Sequence, residues 1–234
     1  LLAKPDEELA SLAAPAEAAP DEVAGGGLHL TVVDLIRQHD IPALGNALRQ
    51  ALHRQGLQQF VPETVSALNR AIGEAWMRGE IQVFEEHLYT EQMQALLRQA
   101  IGALPPGSGR PRILLTTVPE EQHILGILMS EALLTLEGAG CVSLGTQTPL
   151  ADIGLAARAQ QADIVALSFS SAFPTRQVAP LLKQLRGMLA ANIEVWAGGA
   201  GIERVAAPEG VRIMGSLDAA LEGLAQWRAA HPAH

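Results

Sequence analysis

A single cysteine, Cys141, stands in the 234 residues, which excludes an internal disulfide and suits a reducing compartment. Aromatic residues make up only 3% against a hydrophobic content of 48%, so Ala, Leu, Ile and Val must fill the core. That composition favours helices packed on helices or on a parallel sheet. Basic residues are scarce: 16 Lys and Arg against 25 Asp and Glu leave a formal charge of −9, with no basic cluster on a recognition helix. The balance argues against direct contact of these residues with DNA. No apolar run reaches the roughly 18 residues that span a bilayer, and the start of the chain lacks the regions of a signal peptide. The reading is a soluble, cytoplasmic chain long enough for one large domain or two small ones.

Residues 1–27 mix Asp6, Glu7, Glu8, Glu17, Asp21 and Glu22 with Ala and Pro and end in three glycines, which is linker chemistry. With no Met at position 1, an acidic linker here implies a preceding segment. Residues 28–105 then follow a helical period. Asp40 precedes Ile41-Pro42 as a helix cap should, and Leu44, Leu48, Ala51 and Leu52 make one apolar stripe before Gly56. Val61, Val65, Leu68, Ile72, Ala75 and Trp76 make the next, ended by Gly79, and a last helix runs from about Glu80 to Leu104. Four helices with short connections predict an antiparallel four-helix bundle.

Pro105 to Pro111 marks a boundary. Beyond it, over 110–234, strand-like runs at 113–118, 141–145, 164–169, 193–197 and 211–214 alternate with helix-like stretches near 124–138, 150–161, 175–190, 200–206 and 216–229. Five such units predict a flavodoxin-like, Rossmann-like parallel sheet in the order 2-1-3-4-5. Ligands of such sheets sit beyond the carboxyl ends of the strands. The loops there carry Glu121 and His123, then Thr146 and Thr148, then Ser168, Ser170 and Ser171, then Gly198, Gly199 and Gly201. The paired glycines suggest a place where something flat lies against backbone without a Cβ between.

Glu121-Gln122-His123-Ile124-Leu125-Gly126 resembles the Asp-x-His-x-x-Gly signature of cobalamin-binding domains. Ser168-x-Ser170 and Gly198-Gly199 fall in register with the Ser-x-Leu and Gly-Gly elements of that signature. The resemblance implies His123 as the metal ligand beneath the cobalt, Glu121 as the partner of its other ring nitrogen, and a channel for the displaced nucleotide tail along Gly126, Ser168, Ser170, Gly198 and Gly199. Two departures stand out. Glu121 replaces the usual Asp, and Ser170 the usual Leu.

In the bundle, Trp76, nine intervening residues and Glu86-His87 resemble the Trp-x9-Glu-His cap of the CarH and LitR type of cobalamin-dependent, light-responsive regulators. By resemblance, Trp76 covers the upper cobalt ligand, commonly a 5′-deoxyadenosyl group, while Glu86 and His87 line its pocket. Adenosylcobalamin is thus the expected cofactor, with methylcobalamin or hydroxocobalamin as alternatives. The resemblance also implies a homo-oligomer, dimer or tetramer, and DNA binding through an N-terminal MerR-type domain absent from this chain. In the light-sensing members a histidine follows the motif's Trp and captures cobalt after photolysis. Here Met77 stands in that place. A photoproduct ligated by water or a thioether is the expectation in its stead.

Simpler readings stand beside these. His123 alone could be a loop histidine, and Trp76 alone a core residue on its stripe. Glu85 and Glu86 suit a helix start. His29, His39 and His53 sit among polar helical positions and need no function, and His231 and His234 belong to a terminus. The serines at 168–171 lack a Gly-x-Ser-x-Gly elbow, and Gly198 to Gly201 lacks the ending of a phosphate loop. The expectation is a non-enzymatic sensor. A corrinoid methyl carrier, which also places a helical bundle before the same sheet, and an antirepressor acting on another protein are its rivals.

Overall fold

The helical part begins as its capping residues require. In the computed structural model, which describes residues 27–105 and 109–232, α1 (Leu28–Arg37) leads to α2 (Ile41–Gln55). The Asp40 carboxylate accepts the Ala43 N–H at 3.0 Å, Pro42 fills the first turn, and Gly56 closes the helix at φ 72°. Residues 1–26 of the expected acidic linker and His234 lie outside the described residues, as do residues 106–108 of the expected boundary.

The third rod departs from the single helix predicted. It consists of α3 (Leu57–Gln59), a π-helical turn (Phe60–Val65) and α4 (Ser66–Met77). Pro62 has no N–H to donate and its ring crowds the carbonyl one turn back, so the turn widens there. The apolar stripe survives, with Val61, Val65, Leu68, Ile72 and Ala75 all buried, yet Trp76 falls off it and is 49% exposed. At the end of α4, Gly79 at φ 70° donates to Trp76 and Glu80 donates to Ala75, each at 2.9 Å. That paired closure fixes the last turn. The fourth helix, α5 (Val83–Gly102), starts later than the predicted Glu80 because Gln82 and Glu85 form a capping box, with the Gln82 N–H donating to Glu85 at 2.6 Å.

The sheet follows the predicted order. Five parallel strands, β1 (Arg112–Thr116), β2 (Gly140–Ser143), β3 (Ile164–Ser168), β4 (Glu194–Gly198) and β5 (Val211–Met214), run β2-β1-β3-β4-β5. Helices α6 (Leu125–Leu136), α7 (Leu150–Ala159), α8 (Thr175–Met188) and α9 (Leu217–Ala230) connect and close them. The helix expected near 200–206 is instead one 3₁₀ turn, Ala200–Ile202. Gly201 inside that stretch and Gly199 just before it give little helical propensity, and Pro208 stops any extension.

The two halves share hydrophobic core. Leu128, Met129, Ala132 and Leu133 of α6 pack into the cluster built by α1, α2, α4 and α5, while Ile127 and Leu134 of the same helix face the sheet's cluster with Ile113, Leu115 and Trp196. A helix apolar on both sides is one buried between two layers. Among the described residues, no helix is long and apolar enough to cross a membrane.

Candidate functional site

Between the carboxyl end of the sheet and the bundle lies a cavity of about 530 Å³. His123, Gly126, Ser168, Ser170, Gly198 and Gly199 all line it, so loops after three different strands converge as the sequence motifs anticipate. β1 ends at Thr116, and the chain then turns out of the sheet with the Thr117 hydroxyl donating to the Glu121 carbonyl at 2.6 Å. This bond curls the loop so that His123 stands at the mouth of the cavity.

Glu121 holds that histidine. Its carboxylate is 1% exposed and accepts from the His123 backbone N–H at 3.0 Å, His123 Nδ1 at 2.6 Å, the Ser170 N–H at 2.7 Å and the Ser170 hydroxyl at 2.9 Å. The extra methylene over Asp is taken up by reaching across to the loop after β3. Burial pushes the carboxyl up, but the bonds from the His123 ring and backbone and from Ser170 outweigh it and hold it below the usual carboxylate range. Glu121 in turn raises the imidazole above its ordinary range against the opposing effect of burial, and Glu86 on the bundle adds to the rise. Glu86 is therefore within electrostatic reach of His123, which links the two motifs through space.

Because a carboxylate only accepts, Nδ1 must carry the proton. Nε2 is then an unprotonated lone pair in the neutral ring, and it makes no hydrogen bond among the described residues. Such a nitrogen is ready to bind a metal, oriented by the carboxylate behind it. No cluster of three or more His, Cys, Asp or Glu that could hold a metal ion alone occurs among the described residues, so the loop offers a single nitrogen donor rather than a cage.

The glycines have internal reasons that the sequence did not reveal. A Cβ at Gly126 would meet the Ser168 hydroxyl at 2.3 Å, and one at Gly199, where φ is 97°, would meet the Phe169 carbonyl oxygen at 2.3 Å. Gly201 is pressed against Ser170 in the same way, whereas a Cβ at Gly198 would make only ordinary contacts. Gly199 and Gly201 thus let the β3 loop carrying Ser170 lie flat on the β4 loop. Thr148 also works inside the protein, its hydroxyl 2.7 Å from that of Thr116, and it is not part of the cavity lining.

The upper residues are held differently. Trp76 and Met77, 73% exposed, occupy the last turn of α4, and Glu86 and His87 the first turns of α5. His87 Nδ1 lies 2.8 Å from Glu86, which also accepts from Thr90 at 2.7 Å. No hydrogen bond or ring contact joins Trp76 to Glu86 or His87 among the described residues. Sequence reasoning missed the bundle's share of the cavity wall: Pro62, Ser66, Asn69 and Arg70. The spacing of Ser66, Asn69 and Arg70, polar at one helical face, was the available signal.

Residues 31–101 match the family described as B12 binding domain. The chain is 30% identical over 162 residues to the HTH-type transcriptional repressor CarH of Myxococcus xanthus, covering 69% of this chain and 54% of that protein. It is 26% identical over 192 residues to methionine synthase of Mycobacterium tuberculosis, covering 78% of this chain and 16% of the enzyme. The chain thus spans about half the length of the repressor it matches. Among solved structures, the monomethylamine corrinoid protein of Methanosarcina barkeri superposes with a TM-score of 0.65 at 17% identity, over 87% of this chain and all of that one, which establishes the shared fold.

Proposed function

The chain carries a B12 binding domain and is a relative of the CarH-type transcriptional repressors, and from that premise we propose that it is the cobalamin-binding sensor region of a transcriptional regulator. One observation carries the reading: His123 is tied through Nδ1 to a buried carboxylate and keeps Nε2 free at the mouth of a cavity that reaches Gly198 and Gly199. The donor set fits a corrinoid. It provides one free imidazole nitrogen that would hold the metal, and a cavity lined by Gly126 and Ser168 that would take the nucleotide tail. Bound cobalamin would supply a cobalt–carbon bond that light can break. His123 would hold the metal, Glu121 and Ser170 would orient the ring, and the groove would exclude water from the tail.

Above the metal, Trp76, Met77, Glu86 and His87 would face the upper ligand, with adenosylcobalamin the form we favour. DNA binding would belong to a MerR-type domain outside this chain, and assembly into a dimer or tetramer would transmit occupancy to it. The regulator is thus a binder rather than an enzyme. His123→Ala is expected to lose cobalamin on gel filtration while keeping its helical spectrum; full retention by the variant would sink the site.

The openness of Trp76 and Met77 favours one second reading, a corrinoid methyl carrier, which needs an accessible upper face. Illumination separates the two. A sensor changes mass in solution when its adenosylcobalamin complex is lit, whereas a carrier keeps its mass and exchanges methyl groups with a methyltransferase.

A further inference from the structure

The bundle's wall of the cavity is polar where the buried face of α4 is apolar. Ser66, Asn69 and Arg70 stand at i, i+3 and i+4 and so share one face, and all three line the cavity with His123, Ser168 and Gly198. Core packing does not require them there, since Leu68, Ile72 and Ala75 supply the buried face of the helix. Asn69 is held rigidly: its carbonyl oxygen accepts the Tyr89 hydroxyl at 2.7 Å, and its amide nitrogen meets only the Met129 sulfur at 3.5 Å, a weak acceptor. Arg70 is exposed and makes no hydrogen bond or ion pair among the described residues. A guanidinium without a partner thus stands beside an amide donor with a poor one. Glu203 and Asp218 line the same space from the sheet's side, so a bound anion is favoured only along the α4 wall.

We propose that Ser66, Asn69 and Arg70 bind the phosphodiester of a corrinoid's nucleotide tail, so that the bundle itself distinguishes a complete cobalamin from a tail-less corrinoid. The inference rests on the corrinoid reading above. A phosphodiester offers two non-bridging oxygens sharing one negative charge, which the planar fork of an arginine matches in a bidentate manner and an amide N–H can supplement. His123 and the glycines all belong to the sheet half, so this contact would make tail binding a tie between the two halves.

The test uses the full chain with two probes, hydroxocobalamin and cobinamide, the latter having the same corrin ring without the nucleotide or its phosphodiester. Binding is followed by absorption titration for wild type, Arg70→Gln and Arg70→Lys. Arg70→Gln is expected to weaken hydroxocobalamin binding about tenfold, the scale of one charge-assisted hydrogen bond. Cobinamide binding should be unchanged, and Arg70→Lys should recover part of the loss. An equal loss for both corrinoids, or no loss for either, overturns the tail contact while leaving the His123 site standing. A wild-type chain that binds neither removes the corrinoid reading and this inference with it.

Discussion

Two glutamates, Glu85 and Glu121, are buried among the described residues, and each is paired with a histidine and a backbone N–H. Glu85 accepts from His39 Nε2 at 3.0 Å and from the Gln82 N–H, while Glu121 accepts from His123 Nδ1 and the Ser170 N–H. The chemistry is the same and the outcomes are opposite. His39 is bonded through the outer nitrogen of its ring, sits at φ 56° in the turn after α1, and packs on Phe84 with ring centroids 5.4 Å apart. Its outer nitrogen is spent on holding α5. His123 is bonded through the nitrogen nearer its backbone, so the outer one projects into the cavity mouth. Which ring nitrogen the carboxylate takes separates a structural histidine from a candidate ligand.

The comparison breaks most severely from behind the β3 loop. Gly199→Ala would force a Cβ against the Phe169 carbonyl oxygen at a backbone conformation that only glycine adopts readily, at a cost of about 2–4 kcal/mol. Urea denaturation should register that loss, and cobalamin retention should fall with it because Ser170 is displaced from Glu121. Substitution at the equally conspicuous Gly198 should cost far less, since its added Cβ meets only ordinary contacts. Equal stability losses at the two positions would contradict the packing described.

Removing the carboxylate itself comes next. Glu121→Gln keeps the shape but gives the imidazole a weaker partner, and losing such an orienting group lowers metal affinity roughly 10–100-fold. The same change at Glu85 should leave cobalamin affinity within about threefold of wild type, because Glu85 supports helix α5 and not the metal donor. Equilibrium dialysis of both variants decides whether the two pairs differ in role. Comparable losses of affinity would mean that the upper pair also shapes the site.

The sheet order, the strand loops and the His123 motif were legible because they depend on short-range patterns, apolar runs and spacing. Glu121 could be assigned to His123 because a single residue, Gln122, separates them within the motif that carries the resemblance. The His39–Glu85 pair was not legible, since it joins residues far apart in sequence and His39 looks like any polar residue at a helix end. The π turn escaped for a similar reason: Pro62 falls in an unbroken apolar period, and only the three-dimensional path shows that the period is kept by widening a turn. Likewise, Arg70 carries no motif, and its place in the cavity follows from how the bundle docks on the sheet.

The smallest expected effect sharpens the comparison on the upper side. The Gln82 backbone N–H, more than His39, holds the Glu85 carboxyl below the usual carboxylate range despite its burial. A group with a depressed folded pKa contributes stability above its unfolded pKa, roughly 4.3, and that contribution is lost as pH falls through the folded value. Glu85→Gln should therefore destabilise the apo chain by about 1 kcal/mol at pH 7, the ordinary worth of a helix cap. Urea midpoints of the wild type and the variant should converge as pH is lowered from 5 towards 3 in roughly half-unit steps, because the protonated Glu85 then resembles the amide. All other carboxyl groups titrate in both proteins and cancel in the difference. A gap that stays constant with pH would show that Glu85 acts through its shape alone, and the kinship of the two buried pairs would then end at their geometry.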